Sequence, residues 1–272
     1  MAKITAAEVN KLRKQTGAGM MDCKKALVES EGDFEAAVDI LRKKGQKVAA
    51  KRADRDATEG AVIAKTNGAD KGAVIKLSCE TDFVAKNENF VALANKIADI
   101  ALASGVSTAE ELGAVEFEGG LTVAAKLQEQ TGVIGEKIEV AEMATVSAPY
   151  VASYIHMGNK IGTLVGLTAE AAEAGRDVAM QAAAMNPVAL NRDAVPQDVI
   201  DRELEVGKDL ARQEGKPEEM LEKIATGRLN KFFKENTLVD QDFIKDSKLS
   251  VSKYLTSVEA GLAVVDFKRV SL

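Results

Sequence analysis

The sequence predicts an α+β fold, with short helices first and two hairpin-plus-helix units after them. Three observations predict it. Residues 5–45 carry apolar positions at helical spacing, broken by glycines. The runs GAVIAKT and KGAVIKLSC, with Asn67-Gly68 between them, have the pattern of two hairpin strands and their turn. The same order of hairpin and helix returns about ninety residues later, as a duplicated unit would.

The elements follow in order from the N-terminus. Thr5 and Glu8 have the spacing of a capping box, and Val9, Leu12 and Thr16 lie on one face of the helix it opens; Gly17 and Gly19 end it. A second helix is predicted from about Met21 to Ser30 with Ala26 and Leu27 inward. A third starts at Asp33 with Phe34, Ala37, Val38 and Leu41 inward. Met20 and Met21 stand at the mouth of the second helix. Adjacent helix positions face different ways, so one is expected in the core and the other exposed or held for a partner. Helices this short make a minimal core, so residues 1–55 are expected to be a small module with its linker. That linker, KKGQKVAAKRADRD at 43–56, is charged and nearly free of large apolar side chains; it is expected to be exposed, helical or extended, with its charges solvated.

The first core subdomain is expected over 56–145: the hairpin, then CETDFVAKNENF at 79–90, then the helix NFVALANKIADIALAS. The second is expected over 146–195 and 237–272. It holds the hairpin ASYIHMGNKIGTLVGL, the helical AEAAEAGRDVAMQAAAM, a further helix KLSVSKYLTSVEAG and a closing strand LAVVDFKRVSL. Gly72–Leu77 and Gly162–Leu167 correspond as the second strands of the two hairpins. Residues 196–236 do not fit the repeat. They are charged and helical, interrupted only by GKP at 215–217, and read as an inserted antiparallel helical hairpin with Leu204, Leu210, Leu221, Ile224, Leu229 and Phe232 as its apolar seams.

Composition narrows the function. A net charge of -6 over 272 residues disfavours a basic nucleic-acid binder. No apolar run reaches the length of a membrane span, and MAKITAAEVNKLRKQ lacks the apolar core of a secretory signal. The two cysteines, Cys23 and Cys79, are expected as reduced thiols in the cytoplasm. With His156 the sole histidine, and no phosphate-binding glycine loop or zinc-type spacing, neither catalysis nor a cofactor is expected; binding is. Two stretches are candidates for it. His156-Met157-Gly158 occupies the turn of the second hairpin, where a surface position is expected. In CETDFVAKNENF, Thr81 or Asp82 caps a helix with Phe83 folded back as a staple, or Asp82 and Phe83 are held outward for a partner.

LRKQTGAGMMDCKKAL and TDFVAK at 81–86, with the order of three-helix module, linker, duplicated core and inserted hairpin, resemble bacterial translation elongation factor Ts over essentially the whole chain. The resemblance implies a guanine-nucleotide exchange factor that binds elongation factor Tu in its GDP and nucleotide-free forms, in the cytoplasm, with no membrane or direct nucleic-acid contact. It also implies that the N-terminal module is of the ubiquitin-associated type. Thr81, Asp82, Phe83 and Val84 match the segment that displaces Mg²⁺ in the partner, and His156, Met157 and Gly158 match a second intruding element. Leu12, Met20 and Met21 fall in the module that docks on the partner's nucleotide domain. The resemblance leaves open a homodimer through 196–236. A nucleotide-independent scaffold and an enzyme are the rival classes.

Overall fold

In the computed structural model, which describes residues 4–272, Thr5 caps α1 (Ala6–Thr16) as its spacing with Glu8 predicts. The Glu8 N–H donates to the Thr5 hydroxyl at 3.3 Å, and the Thr5 N–H donates to the Glu8 carboxylate at 2.7 Å. The start of the N-terminal pattern, residues 1–3, lies outside the described residues. The helices α2 (Met20–Glu29) and α3 (Phe34–Arg52) follow, the latter capped by Asp33. Val9, Leu12, Cys23, Ala26, Leu27 and Ala37 are buried between the three helices, with Phe34, Val38 and Leu41 packed against them.

The chain divides into two units. The first holds residues up to Val62, Ile75–Met143 and Leu272; the second holds Ile63–Val74 and Ala144–Ser271. The strands β1 (Glu59–Thr66) and β2 (Lys71–Cys79) lead to α4 (Asp82–Ala85), α5 (Glu88–Ser104) and α6 (Ala109–Ala114). A short ribbon, β3 (Glu116–Glu118) and β4 (Leu121–Thr122), comes next, then α7 (Val123–Ile134) and β5 (Glu139–Ser147). The sheet order is β1-β2-β5. On α5, Phe90, Ala94, Ile97, Ala98 and Ala101 recur at helical spacing and are buried. Gly60 has φ +156°, and a Cβ there would lie 2.1 Å from the Leu77 carbonyl oxygen, so only glycine lets β1 lie this close to β2.

Within the first unit, α3 runs into the charged segment expected to be exposed, as far as Arg52, and one face of it there is packed. Gly45 is buried against α7, where a Cβ on Gly132 would come within 2.4 Å of the Gly45 Cα. The expectation rested on the lack of large apolar side chains. The close approach is made by two glycines, which let the helix backbones touch.

The second unit holds β6 (Tyr150–Ile155), β7 (Ile161–Leu167), α8 (Ala172–Met185), α9 (Gln197–Gln213) and α10 (Glu218–Asn236). It continues with a ribbon, β8 (Asp242–Phe243) and β9 (Asp246–Ser250), then α11 (Val251–Val258) and β10 (Val264–Ser271). The sheet order is β10-β7-β6, antiparallel throughout. Val165 and Leu167 of β7 share a core with Val178 and Ala182 of α8 and with Val251 and Leu255 of α11. The strands matched in the sequence, β2 and β7, are each the central strand of a three-stranded sheet. The duplication runs further, because in both units a two-stranded ribbon and a capped helix precede the third strand.

The inserted segment forms two antiparallel helices, tied across by Lys208–Glu222 at 2.9 Å and Arg228–Glu214 at 2.6 Å. Gly207, Ala211 and Ala225 bring the two helices close, a Cβ on Gly207 lying 3.1 Å from the Ala225 Cα, and Leu221 is buried in the same seam. Leu210, expected in that seam, is instead exposed. Its neighbour Ala211 takes the inward position, and adjacent helix positions face different ways. The chain enters and leaves the insertion side by side, Val188 N–H donating to Asn236 O at 2.9 Å and Leu238 N–H to Ala189 O at 3.0 Å. Replacing residues 203–226 with a short Gly-Ser loop therefore removes both sides of the seam together. We expect the thermal transition of the rest to stay cooperative, with the stability change within about 1 kcal/mol; calorimetry checks this.

Candidate functional site

The strand β2 ends at Cys79, and the next two residues turn the chain into the single turn of α4. Two carboxylates fix that turn. Glu136, just beyond α7, accepts from Glu80 N–H at 3.1 Å, Thr81 N–H at 3.0 Å and the Thr81 hydroxyl at 2.7 Å. Glu80 accepts from Lys137 N–H at 2.7 Å and from the Arg52 guanidinium at 2.8 and 3.0 Å. The Lys137 N–H, and after it Arg52, hold the Glu80 carboxyl below the usual carboxylate range. These are charge-assisted bonds, roughly twice as strong as neutral ones.

Thr81 is the cap: its hydroxyl accepts from Val84 N–H at 3.4 Å. Asp82 is the first residue of the turn and pairs with Lys86 at 2.6 Å, and that hydrogen bond lowers the Asp82 carboxyl pKa. Phe83 is 84% exposed, so the staple reading of it is wrong. Phe83 is the second residue of the helix that Thr81 caps, whereas a staple is made by the residue before the cap. Val84 is half-buried. Burial, and then the Glu136 charge, push the Cys79 thiol up to about 12, which leaves it protonated and unreactive at neutral pH. Because Asp82 is not the cap and its ion pair is exposed, Asp82→Asn should melt within about 0.5 kcal/mol of the parent, as exposed pairs usually do; a larger shift on thermal denaturation would overturn that assignment.

In the second unit, His156, Met157 and Gly158 form the exposed turn between β6 and β7. His156 N–H donates to Ile161 O at 2.9 Å, Asn159 N–H donates to His156 O at 3.1 Å, and Gly158 takes φ +81°. The Tyr154 hydroxyl lies 3.2 Å from His156 Nδ1 and gives the imidazole a fixed neighbour. Met157 is 88% exposed.

Met20 and Met21 are 51% and 62% exposed, which corrects the expectation that one of them would be core. Ala18, Cys23, Ala26 and Leu27 already fill that end of the three-helix core. Val28, seven residues after Met21 on the same helix stripe, is exposed as well. Leu12 is fully buried among the helices, where it holds the module together and faces no surface.

The structure thus gathers Thr81–Val84 into one anchored turn, leaves Met20 and Met21 outward on α2 of the same unit, and places His156–Gly158 in the other unit. Sequence reasoning missed Arg52, Glu136 and Lys137. Nothing local marks them, since Glu136 stands 55 residues from the threonine it holds. No helix among the described residues is long and apolar enough to cross a membrane.

A family model described as Elongation factor TS matches residues 80–272. Elongation factor Ts of Christiangramia forsetii is 61% identical over an alignment that covers all of both chains. That of Flavobacterium psychrophilum is 58% identical, again over all of both chains. That of Kineococcus radiotolerans is 46% identical over 99% of this chain and 98% of its own.

Proposed function

Because the chain belongs to the elongation factor Ts family, and so to the factors of translation elongation, we propose that it is a guanine-nucleotide exchange factor for elongation factor Tu and not an enzyme. The observation that carries this reading is Phe83, a large aromatic held almost wholly in solvent on a turn fixed by two carboxylates. An exposed ring on a mobile loop would be incidental. An exposed ring on a turn ordered in advance is suited to entering an apolar pocket, since little ordering entropy remains to be lost on docking.

GDP in a partner of this kind is held by phosphate contacts and by Mg²⁺ with its oxygen ligands. A ring wedged between the elements that support the metal site, with the Asp82 carboxylate beside it, favours the nucleotide-free shape without touching the nucleotide. His156, Met157 and Gly158 act as a second intruding turn, and Met20 and Met21 dock the N-terminal helices on the partner. By linkage, whatever factor weakens GDP must weaken this chain's hold by the same ratio when GDP is bound. The exchange therefore passes through a transient ternary complex with no covalent step.

The test is to mix a substoichiometric amount of the chain with elongation factor Tu loaded with labelled GDP, in excess unlabelled GDP. Repeated turnover of label is expected from each molecule of factor. A scaffold would bind and leave the release rate unchanged, and an enzyme would convert a small substrate without the partner.

A further inference from the structure

We propose that Glu136 is a positioning residue for Phe83; the proposal rests on the exchange reading for its consequence, though not for its geometry. The Thr81–Ala85 turn is too short to be stable alone, since a single helical turn costs more in chain entropy than its hydrogen bonds return. Its order comes from outside. The Glu136 carboxylate takes both N–H groups that precede the turn and the hydroxyl that caps it, at 3.0–3.1 Å and 2.7 Å. Glu80, whose own N–H is one of those donors, is held in turn by Lys137 N–H and Arg52. Glu136 and Lys137 are neighbours, so one two-residue segment grips both sides of the turn. None of these groups projects as Phe83 does: Glu136, Glu80 and Thr81 are all partly buried. Glu136 acts through Phe83 by setting how often the ring stands where a partner can meet it.

The substitutions discriminate cleanly. Glu136→Ala removes both carboxylate oxygens and with them all three hydrogen bonds. Glu136→Gln keeps them in altered form, because the amide oxygen accepts both N–H groups while the amide nitrogen donates to the Thr81 hydroxyl oxygen, which still accepts from Val84 N–H.

The chain contains no tryptophan, so Phe83→Trp installs a single fluorescent reporter at the tip of the turn. In that background, time-resolved anisotropy of the free protein should show a larger fast-motion amplitude with Glu136→Ala and a near-parental one with Glu136→Gln. In the Phe83 background, Glu136→Ala should raise the concentration of factor that half-saturates GDP release from elongation factor Tu about tenfold, as for a turn ordered roughly a tenth of the time. The maximal rate should change less than about twofold, because the ring itself is intact, and Glu136→Gln should restore the half-saturating concentration. Unchanged anisotropy with Glu136→Ala, in protein whose thermal transition shows it folded, would overturn the positioning role. So would a fall in maximal rate with no change at half-saturation. Should the parent fail to speed GDP release at all, the exchange reading falls alone, and the anisotropy still decides the role of Glu136.

Discussion

Phe83→Ala is expected to leave the free protein within about 1 kcal/mol of its parental stability while slowing GDP release from elongation factor Tu at saturating factor by roughly 10- to 100-fold. The first half follows from exposure. A ring 84% in solvent leaves no cavity when it is removed, whereas a buried Phe→Ala change costs about 3 to 5 kcal/mol. The second half follows from the area the ring would bury in the partner: burying a phenylalanine side chain contributes about 1.5 to 3 kcal/mol, and each 1.4 kcal/mol is about a factor of ten. His156→Ala should slow release independently, since His156 and Phe83 belong to different units and share no hydrogen-bond partner. A destabilised Phe83→Ala protein with parental release kinetics would contradict both halves.

Gly132→Ala should be the most damaging single methyl group on the helices of the first unit. The new Cβ would sit 2.4 Å from the Gly45 Cα, whereas carbon atoms at rest stand about 3.5 to 4.0 Å apart. The obstacle is backbone, with no side chain that can rotate away, so α3 and α7 must separate. Overpacking costs about 1 to 3 kcal/mol, and this site belongs at the upper end, a fall in melting temperature of roughly 5 to 10 °C for a chain of this size. Gly227→Ala is the control. It lies exposed on α10 with open space where the methyl group would go, and it should stabilise slightly through better helix propensity. Differential scanning calorimetry of the two variants reads both.

The alternation of apolar and polar residues made most of the fold legible. Thr5 with Glu8, Asp33, and the strands on either side of Asn67-Gly68 all behave as their local chemistry dictates, because each depends on neighbours within a few residues. The segment from 105 to 147 was not readable in the same way: α6 is under two turns long, and its ribbon β3–β4 is hardly longer than a turn. A signal for it existed in the repeat. Leu121-Thr122-Val123, with Leu127 four residues on, matches Leu249-Ser250-Val251 with Leu255. Thr122 and Ser250 both cap a helix whose first residue is a buried valine. The packing of the charged linker was illegible for a different reason: Gly45 and Gly132 contribute by having no side chain. The candidate site divides the same way. TDFVAK and the HMG turn stand out in the sequence because they put large or unusual side chains where no core needs them. Glu136 does not, because its role is set by tertiary proximity.

The most direct test of the exchange mechanism is stopped-flow release of a fluorescent GDP analogue from elongation factor Tu, with the parent chain and Phe83→Ala, across a titration of free Mg²⁺. The account predicts that the parent accelerates release to a plateau, that higher Mg²⁺ raises the concentration of factor needed to reach half of it, and that Phe83→Ala lowers the plateau at every Mg²⁺ concentration. Release by the parent at the spontaneous rate, or a plateau indifferent both to Phe83 and to Mg²⁺, would contradict it.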